Sequence, residues 1–325
     1  MENIPNIGEN IPKNSDSSIP KEEKEYSLEQ FRKDYLNILK TEVFPKLEQL
    51  EQLRLQYKKK ADDLGKGVII MIIIYIIVSM LFLVIPHILF ILGLFFVLYS
   101  VRLSIKKKFE YELKKQVMPV LMQAIPGFSW TPNQLITKSE PEFAGLYTDD
   151  IEGAYNTDDN FEGTYRGVGI TITECCCLDK NKIKIFQGPI IRIKMNKNFE
   201  GVTIIRHNDY ITRFNKLEEI KLEDIVFSQK FKVFSTDQIE ARYLLTTAFM
   251  DRFKAIMVAF DTERIHCSFF EDNVYIAPYT TKDLFNLGDL SKTLLDEEQY
   301  EVLFNEFASI LALVDHFKLD KKLGL

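Results

Sequence analysis

The longest apolar run of the sequence is VIIMIIIYIIVSMLFLVI, from Val68 to Ile85, followed by Pro86 and His87 and then by ILFILGLFFVLYSV, from Ile88 to Val101. Within this stretch and the preceding Gly67 there is no Asp, Glu, Lys or Arg. A charge-free run of this length is typical of a segment that enters a lipid bilayer. The sequence therefore predicts a membrane protein.

The apolar run is too long for one straight helix. At about 1.5 Å per residue it would measure about 51 Å, against a hydrocarbon core of roughly 30 Å. Tilt alone would have to reach about 54°, whereas observed tilts end near about 40°. Pro86 lacks an amide donor and clashes with the preceding turn, so we expect the chain to reverse at Pro86 and His87. The sequence predicts a two-helix transmembrane hairpin at residues 67–103. Because both halves are short, a re-entrant hairpin that does not cross the membrane fully is an alternative to two full spans.

Basic residues flank the apolar run on both sides and form a basic collar. Its members are Lys58, Lys59, Lys60 and Lys66 before the run and Arg102, Lys106, Lys107 and Lys108 after it. Lys and Arg close to a span mark the cytoplasmic side, and a hairpin places both flanks there. We therefore expect two spans in the cytoplasmic (inner) membrane, both termini in the cytoplasm, and the collar against anionic lipid of the inner leaflet.

Charge is unevenly distributed, although the formal net charge is only −6. Residues 54–115 carry 11 basic and 4 acidic side chains, whereas residues 116–325 carry 23 basic and 32 acidic ones. An acidic domain is a poor nucleic-acid binder, which excludes that class of function. Residues 1–26 lack the basic start and apolar core of a signal peptide, and their composition predicts a disordered tail.

An amphipathic cytoplasmic helix is predicted at residues 27–66, with Ser27 as its cap and Pro45 as an interruption. Its apolar face contains Phe31, Tyr35, Ile38, Leu39 and Val43. Such a helix needs a partner, which is either the same helix in a second chain or the juxtamembrane helix predicted at residues 104–129. We favour the juxtamembrane helix, because the hairpin brings the two out of the membrane side by side.

Residues 130–325 are predicted to form a cytoplasmic mixed α+β domain, so the fold class is α+β with a membrane hairpin and amphipathic flanking helices. The predicted strands are Gly163–Cys175, Lys182–Met195, Gly201–His207, Lys221–Ser235, and the hairpin Arg264–Phe270 with Val274–Tyr279. The predicted helices are Asp237–Phe260 and Asp296–Phe317. For the first helix we expect a buried face made by Ile239, Tyr243, Leu244, Phe249, Phe253 and Met257.

Three segments carry a family resemblance: FQGPIIRIKMNKNFEGVTII, KLEDIVFSQKFKVFSTDQIEARYLLTTAFMDRFKAI and RIHCSFFEDNVYIAPY. They resemble the bacterial proteins grouped as Domain of Unknown Function 3137, over roughly Phe31 to Phe317 and most densely from Tyr165 to Pro278. The resemblance implies an N-terminal helix, a two-span hairpin and a cytoplasmic α+β domain. It implies no activity and no catalytic residue, and the cysteine triplet at residues 175–177 is not a feature that the resemblance covers.

Motifs of common enzymes are missing from the sequence. The glycine-rich stretch Gly163–Gly169 fits neither a P-loop nor a dinucleotide fingerprint, and we interpret it as a turn or bulge. There is no G-x-S-x-G nucleophile motif. We expect no cofactor, and whether the chain is an enzyme stays undecided with a preference for a non-enzymatic function.

Metal sites and polar clusters give weak signals. Cys175 and Cys177 can point to one side of a strand, but zinc sites usually need two such pairs, so we expect ordinary strand residues or reduced thiols. The acidic residues Asp149, Asp150, Glu152, Asp158, Asp159, Glu162 and Glu174 lack calcium-loop spacing, and we interpret them as a solvated loop. The polar group to test first is Asp237, Glu240, Arg242 and Tyr243, for which helix capping and surface pairing are sufficient explanations.

The predicted position at the membrane is therefore the main indication of function. The leading hypothesis is a membrane-anchored interaction, scaffold or ligand-sensing module with a protein partner or self-association. The alternatives are an anchored enzyme acting on lipid or envelope precursors, and an accessory subunit of a membrane complex. A concave pocket with convergent polar residues favours an enzyme, whereas an exposed apolar patch favours a protein partner.

Overall fold

The structure is a computed structural model that describes residues 26–81, 88–132, 146, 151–155, 158–179, 181–196, 198–208, 217–282 and 284–317. Within these residues the chain is a mixed α+β protein with one large antiparallel sheet, which confirms the predicted fold class at that level. The predicted turn residues Pro86 and His87, and the predicted tail up to residue 25, lie outside the described residues.

Two helices and a π-helical turn form the N-terminal arm: α1 (Leu28–Ile38), the turn Leu39–Val43, and α2 (Phe44–Leu81). Ser27 caps α1, since its hydroxyl accepts a hydrogen bond from the Gln30 amide at 3.2 Å, as predicted. Pro45 does not end the helix. The wider π turn already interrupts the regular hydrogen-bond ladder just before Pro45, so a residue without an amide proton is accommodated there.

Helix α3 (Ile88–Leu121) runs antiparallel to α2 and ends in the 3₁₀ turn Met122–Ala124. The direction follows from the contacts: Tyr57 meets Phe109 at 5.7 Å between ring centroids, and the later Asp62 pairs with the earlier Arg102 at 3.1 Å. Among the described residues, one helical segment, Leu28–Met80, is long and apolar enough to cross a membrane by length and composition.

Helices α2 and α3 each have an exposed apolar half and a half that packs into the core. The exposed apolar side chains include Ile69, Ile70, Met71, Ile73, Ile74 and Ile77 on α2, and Leu92, Phe95, Phe96 and Val97 on α3. The other half of α3 is buried at Phe109, Leu113, Val117 and Leu121. The same helix thus carries an apolar outer surface and a stripe in the core.

Among the described residues the sheet has ten strands, and each pairs antiparallel with its neighbours. They are β1 (Ser129–Pro132), β2 (Ile151–Tyr155), β3 (Asp159–Tyr165), β4 (Val168–Asp179), β5 (Lys184–Lys194), β6 (Thr203–His207), β7 (Glu218–Ile220), β8 (Phe231–Ser235), β9 (Arg264–Phe270) and β10 (Asn273–Tyr279). Their order is β1-β3-β4-β5-β10-β9-β6-β8-β7, and β2 pairs with the far half of β4. The predicted hairpin of Arg264–Phe270 with Val274–Tyr279 is confirmed.

The predicted strand Gly163–Cys175 is wrong as a single strand, because the chain reverses within it. Arg166 and Gly167 have φ angles of 52° and 80° and join β3 to β4 in a two-residue hairpin. Positive φ at both central residues matches the twist of the flanking strands, and glycine adopts it without strain. The interpretation of Gly163–Gly169 as a turn is confirmed.

The predicted strand Lys221–Ser235 is half wrong, because its first part contains helix α4 (Ile225–Lys230) before β8 begins. Asp224 caps this helix: its carboxylate accepts a hydrogen bond from the Phe227 amide at 2.8 Å. An aspartate in the capping position therefore outweighs the strand-like alternation of the residues around it.

The predicted helix Asp237–Phe260 is two helices, α5 (Gln238–Leu244) and α6 (Thr247–Ala259). Thr246 caps α6 by accepting from the Phe249 amide at 3.2 Å, so a second helix starts where continuity was expected. The break changes the direction of the buried face. Phe249, Phe253 and Met257 are buried as predicted, whereas Ile239 and Tyr243 are exposed. The last helix, α7 (Glu297–Phe317), has the expected bounds.

The N-terminal arm packs into the same core as the C-terminal helix. Phe31 of α1 is fully buried and stacks on Phe304 of α7 at 4.9 Å, and the Tyr35 hydroxyl donates to the Tyr300 carbonyl at 2.8 Å. The helix predicted at residues 104–129 is also a partner of the arm, because α2 packs along α3 and Tyr57 meets Phe109. The contact with α7 was not anticipated from the sequence.

Candidate functional site

A polar cavity of about 520 Å³ lies between α3 and the sheet, where the helix leaves its apolar half and joins the core. We call it the junction pocket and define it by the charged side chains that line it: Lys107, Glu110, Lys114, Asp158, Glu174 and Lys184. Three cations and three carboxylates therefore face one cavity. Convergent charges in a concave site are the usual mark of a ligand or active site.

Lys114 is the central cation of the junction pocket and is almost completely buried. Its position follows from helical spacing, because it lies on the face of α3 that also buries Leu113 and Val117. The ammonium lies 2.5 Å from the Asp159 carboxylate and 3.5 Å from the Asp158 carboxylate. A buried lysine in such a place is stable only when it is paired.

Asp159 is the buried partner of Lys114 and stands at the start of β3. Its carboxylate also accepts a hydrogen bond from the Trp130 indole at 2.7 Å. Burial raises the pKa of Asp159 to about 6, against the opposing effect of the Lys114 ammonium. At neutral pH the pair is therefore ionised, with an aspartate whose proton affinity is unusually high.

Glu306 of α7 is another buried acid, and it lies close enough to Asp159 and Lys114 for their charges to affect its pKa. Burial is the main reason that its pKa rises to about 8, and the negative Asp159 adds to the rise. The Phe285 amide and Lys114 act in the opposite direction. At neutral pH Glu306 is therefore mostly protonated, while Asp159 is charged.

Carboxylate oxygens of Asp158, Asp159 and Glu174 lie within 4.8 Å of one another. These three residues are the group that could hold a metal ion, although the Lys114 ammonium already supplies a positive charge at Asp158 and Asp159. The interpretation of the acidic residues as a solvated loop is wrong for Asp159 and Glu174, which are buried, and right for Asp158, whose side chain is 59% exposed. Glu152 and Glu162 lie on strands β2 and β3, and Asp149 and Asp150 lie outside the described residues.

The residues of the junction pocket were missed as a site, yet the sequence held a signal for them. Asp159 shares strand parity with the buried Phe161, and Glu174 shares it with Ile172. Lys114 shares a helical face with apolar residues. A charge on a predicted core face is a better indicator of a site than a local density of acids.

The pH dependence of stability provides a test of the buried acids. We expect the free energy of unfolding to fall by on the order of 4 kcal/mol as the pH rises from about 5 to about 8, with Glu306 contributing the larger part and Asp159, whose pKa is also raised, the rest. The folded state keeps the Glu306 proton in this range, whereas the unfolded chain releases it near the ordinary glutamate pKa, so folding loses stability as the pH rises. In Glu306→Gln most of this fall should disappear, as measured by denaturant unfolding at a series of pH values.

Glu301→Gln is the matched control for this prediction, because Glu301 lies on the same helix but is exposed. It should keep the wild-type decrease. An unchanged slope in Glu306→Gln would contradict the assignment of the pH dependence to the buried acid.

Cys175 and Cys177 point to the same side of β4, with their sulfurs 4.0 Å apart and both side chains buried. The hydrogen bond with Cys177 and burial raise the pKa of Cys175. Cys267 is buried in the helix-facing core, whereas Cys175 and Cys177 belong to a separate apolar cluster on the other side of the sheet. The structure thus brings two thiols together without Cys267.

The polar group Asp237, Glu240, Arg242 and Tyr243 lies at α5. Asp237 caps the helix by accepting from the amides of Ile239 and Glu240 at 2.8 and 3.0 Å. The Glu240 carboxylate accepts from the Glu200 and Gly201 amides, both at 2.9 Å. Arg242 and Tyr243 are exposed. The two carboxylates of this group are thus bound to backbone amides.

The basic collar is divided by the structure. Lys58, Arg102 and Lys106 line a second cavity between α2 and α3, and Lys107 lines the junction pocket. Lys59, Lys60, Lys66 and Lys108 are exposed on the helix surface. Part of the collar thus belongs to defined cavities and part is open surface.

Comparison with known proteins supports the family resemblance. Residues 184–319, which begin with β5 and extend just beyond α7, match the family described as "Protein of unknown function (DUF3137)". The resemblance is confirmed over this part of the chain. No curated protein matches the chain.

One solved structure that the chain resembles is the crystal structure of the mycobacterial trehalose monomycolate transport factor A, TtfA. The two are 12% identical, the alignment covers 58% of this chain and 88% of that chain, and the TM-score is 0.34. A likeness at this level does not bear on function.

Proposed function

We propose that this chain, which carries a domain of the DUF3137 family at residues 184–319, is an integral protein of the cytoplasmic membrane that senses a small polar ligand at the membrane surface. In this proposal residues 67–103 form a two-span hairpin and both termini lie in the cytoplasm. The juxtamembrane helix at residues 104–129 leads into a cytoplasmic domain at residues 130–325.

The observation that carries the proposal is that one helix, α3, contributes both to the exposed apolar surface and to the junction pocket. Its first half has an exposed apolar surface suited to lipid, and its second half contributes Lys107, Glu110 and Lys114 to the junction pocket. A ligand that competes for Asp158 or Lys114 would therefore act directly on a helix that continues into the apolar run. A ligand shifts such an arrangement only through contacts that differ between two states, and Lys114 offers such contacts.

The junction pocket supports sensing better than catalysis. The acids with raised pKa values, Asp159 and Glu306, are the usual candidates for proton transfer. Both are buried and neither lines the pocket, and the Asp159 carboxylate is already bound by Lys114 and Trp130. The open part of the pocket presents Lys107, Asp158 and Lys184, which suit binding of a charged molecule.

A ligand screen tests the sensing function. The full chain in detergent is heated with a panel of amino acids, nucleotides, sugar phosphates and polyamines, and Tm is recorded. We expect one chemical class to raise Tm of the wild type and of the surface control Asp251→Asn, and to leave Asp158→Asn unchanged. If no class raises Tm, or if Asp158→Asn responds like the wild type, the junction pocket is not the sensing site.

A scaffold function is the second candidate, because apolar side chains are exposed on the domain. Ile225 and Val226 of α4 and Val258 of α6 are 72%, 62% and 80% exposed. Neighbouring apolar side chains exposed to this degree are typical of a surface that binds another protein or a second copy of the chain. Crosslinking after gentle extraction should capture a complex that Val226→Ser and Val258→Ser weaken, and recovery of monomer alone would count against it.

A further inference from the structure

A cavity of about 310 Å³ lies where the apolar halves of α2 and α3 end, separate from the junction pocket. We call it the collar pocket and define it by its polar and aromatic lining: Lys58, Asp62, Tyr99, Arg102, Lys106 and Asp289. Its walls are α2, α3 and the segment before α7. Arg102 directly follows the last residue of the apolar run, Val101.

The charges of the collar pocket favour an anion. It contains three cations, Lys58, Arg102 and Lys106, and two carboxylates, Asp62 and Asp289. The Asp62 carboxylate pairs with Arg102 at 3.1 Å. The Asp289 carboxylate pairs with Lys106 at 3.3 Å and also accepts two hydrogen bonds from Ser291. Both carboxylates are thus engaged, and the lining side chains leave an excess of one positive charge, while Lys106 also pairs at 3.3 Å with Glu110, which lies outside the lining.

The ion pairs also hold the cations in place. Arg102 is fixed across the two helices by Asp62, and Lys106 is fixed against the segment before α7 by Asp289. That segment is itself anchored to α2, because Arg54 is buried and donates a hydrogen bond to the Leu290 carbonyl at 2.5 Å. Cations that are already positioned lose less entropy when they bind a phosphate.

The other lining of the collar pocket is apolar. Ala61, Leu103 and Leu290 form part of its wall, and the Tyr99 ring stands at its membrane side. Beyond Tyr99 the exposed apolar surface of α2 and α3 begins. Tyrosine at this level is typical of the interface between headgroups and acyl chains. The cavity therefore offers cations at one end and an apolar path at the other.

We infer that the collar pocket is a binding site for an anionic phospholipid, whose phosphate contacts Lys58, Arg102 and Lys106 and whose acyl chains lie along α2 and α3. The inference rests on the proposed membrane hairpin. Arg102 and Lys106 lie within about 8 Å of the end of the apolar run along α3, at the depth of the headgroup layer. A soluble phosphate would match the cations but would leave the apolar path unused.

The experiment uses the full chain in nanodiscs of phosphatidylcholine, with or without a minor fraction of phosphatidylglycerol. Lipids retained after transfer to mild detergent are measured by native mass spectrometry, with and without added inorganic phosphate. The variant Lys58→Gln/Lys106→Gln is compared with Lys59→Gln/Lys108→Gln. The second pair removes the same charge from the same two helices outside the pocket, since Lys59 and Lys108 are exposed.

We expect the wild type and the control pair to retain phosphatidylglycerol in preference to phosphatidylcholine. The pocket pair should lose this preference by about tenfold, because it removes two of the three cations that contact the phosphate, whereas the control pair removes charge only from the exposed surface. Equal loss in both pairs would assign the preference to the collar as a whole and overturn the inference. Displacement of phosphatidylglycerol by inorganic phosphate would also overturn it, in favour of a free anion.

Two controls keep the result interpretable. Lys58→Glu is a second variant that leaves the pairs of Arg102 and Lys106 in place, so it should lose the preference without a change in Tm. Recovery in phosphatidylcholine nanodiscs tests the membrane proposal by itself. Failure to enter either kind of nanodisc would contradict the proposed function, whereas entry without lipid preference would contradict this inference alone.

Discussion

Lys114→Met is expected to lower the free energy of unfolding by about 3–5 kcal/mol at neutral pH, because it leaves the buried Asp159 carboxylate without its cation. The hydrogen bond from Trp130 remains but cannot neutralise the charge. Methionine has a similar length and helix propensity, so the loss is assigned to the ammonium. Denaturant unfolding of the full chain in detergent measures it.

Lys115→Met is the matched control, since Lys115 is the exposed neighbour of Lys114 on the same helix. It should change stability by less than about 0.5 kcal/mol. The double variant Lys114→Met/Asp159→Asn should recover a large part of the loss, because no unpaired charge is then buried. A mild effect of Lys114→Met, or no recovery in the double variant, would show that the pair is not a linked structural unit.

Phe31→Ala is expected to destabilise the fold by about 3–5 kcal/mol, although Phe31 lies far in sequence from the C-terminal domain. The ring is fully buried and stacks on Phe304 of α7. Removal of the ring leaves a cavity between the first and the last helix of the described chain. The same unfolding measurement gives the loss.

Tyr243→Ala is the control for the Phe31 prediction, because it also removes an aromatic ring but from a side chain that is 66% exposed. It should stay within about 0.5 kcal/mol of the wild type. If Phe31→Ala were equally mild, α1 would not be part of the core, and the N-terminal arm would be attached only through α3.

The sequence predicted those elements whose signal is local. The hairpin of β9 and β10, a turn within Gly163–Gly169, the cap at Ser27 and the bounds of α7 follow from strand alternation, glycine content, capping chemistry and helical period. The errors in the predicted elements lie where a capping residue starts a new helix. Asp224 and Thr246 each begin a helix inside a pattern that is continuous in hydrophobicity, and a pattern averaged over many residues hides a single capping residue.

The candidate site was harder to predict, because it combines residues that are distant in sequence. Lys114, Asp159 and Glu306 come from α3, β3 and α7, and their proximity depends on the contact of the arm with the last helix. Periodicity indicates that Lys114 faces inward, but only the fold shows what it faces. The hydrogen bond between Arg54 and Leu290 at the collar pocket likewise joins residues that are distant in sequence, so only the fold shows it.

The location and topology of the apolar helices are the central claim, and labelling with a membrane-impermeant maleimide in intact spheroplasts tests it most directly. Single cysteines are introduced as Lys59→Cys, His87→Cys and Lys108→Cys, and the chain with its native cysteines serves as the blank. We expect His87→Cys to be labelled from outside, and Lys59→Cys and Lys108→Cys to be labelled only after permeabilisation. Labelling of Lys108→Cys in intact spheroplasts, or protection of His87→Cys, would contradict a two-span hairpin with a cytoplasmic domain.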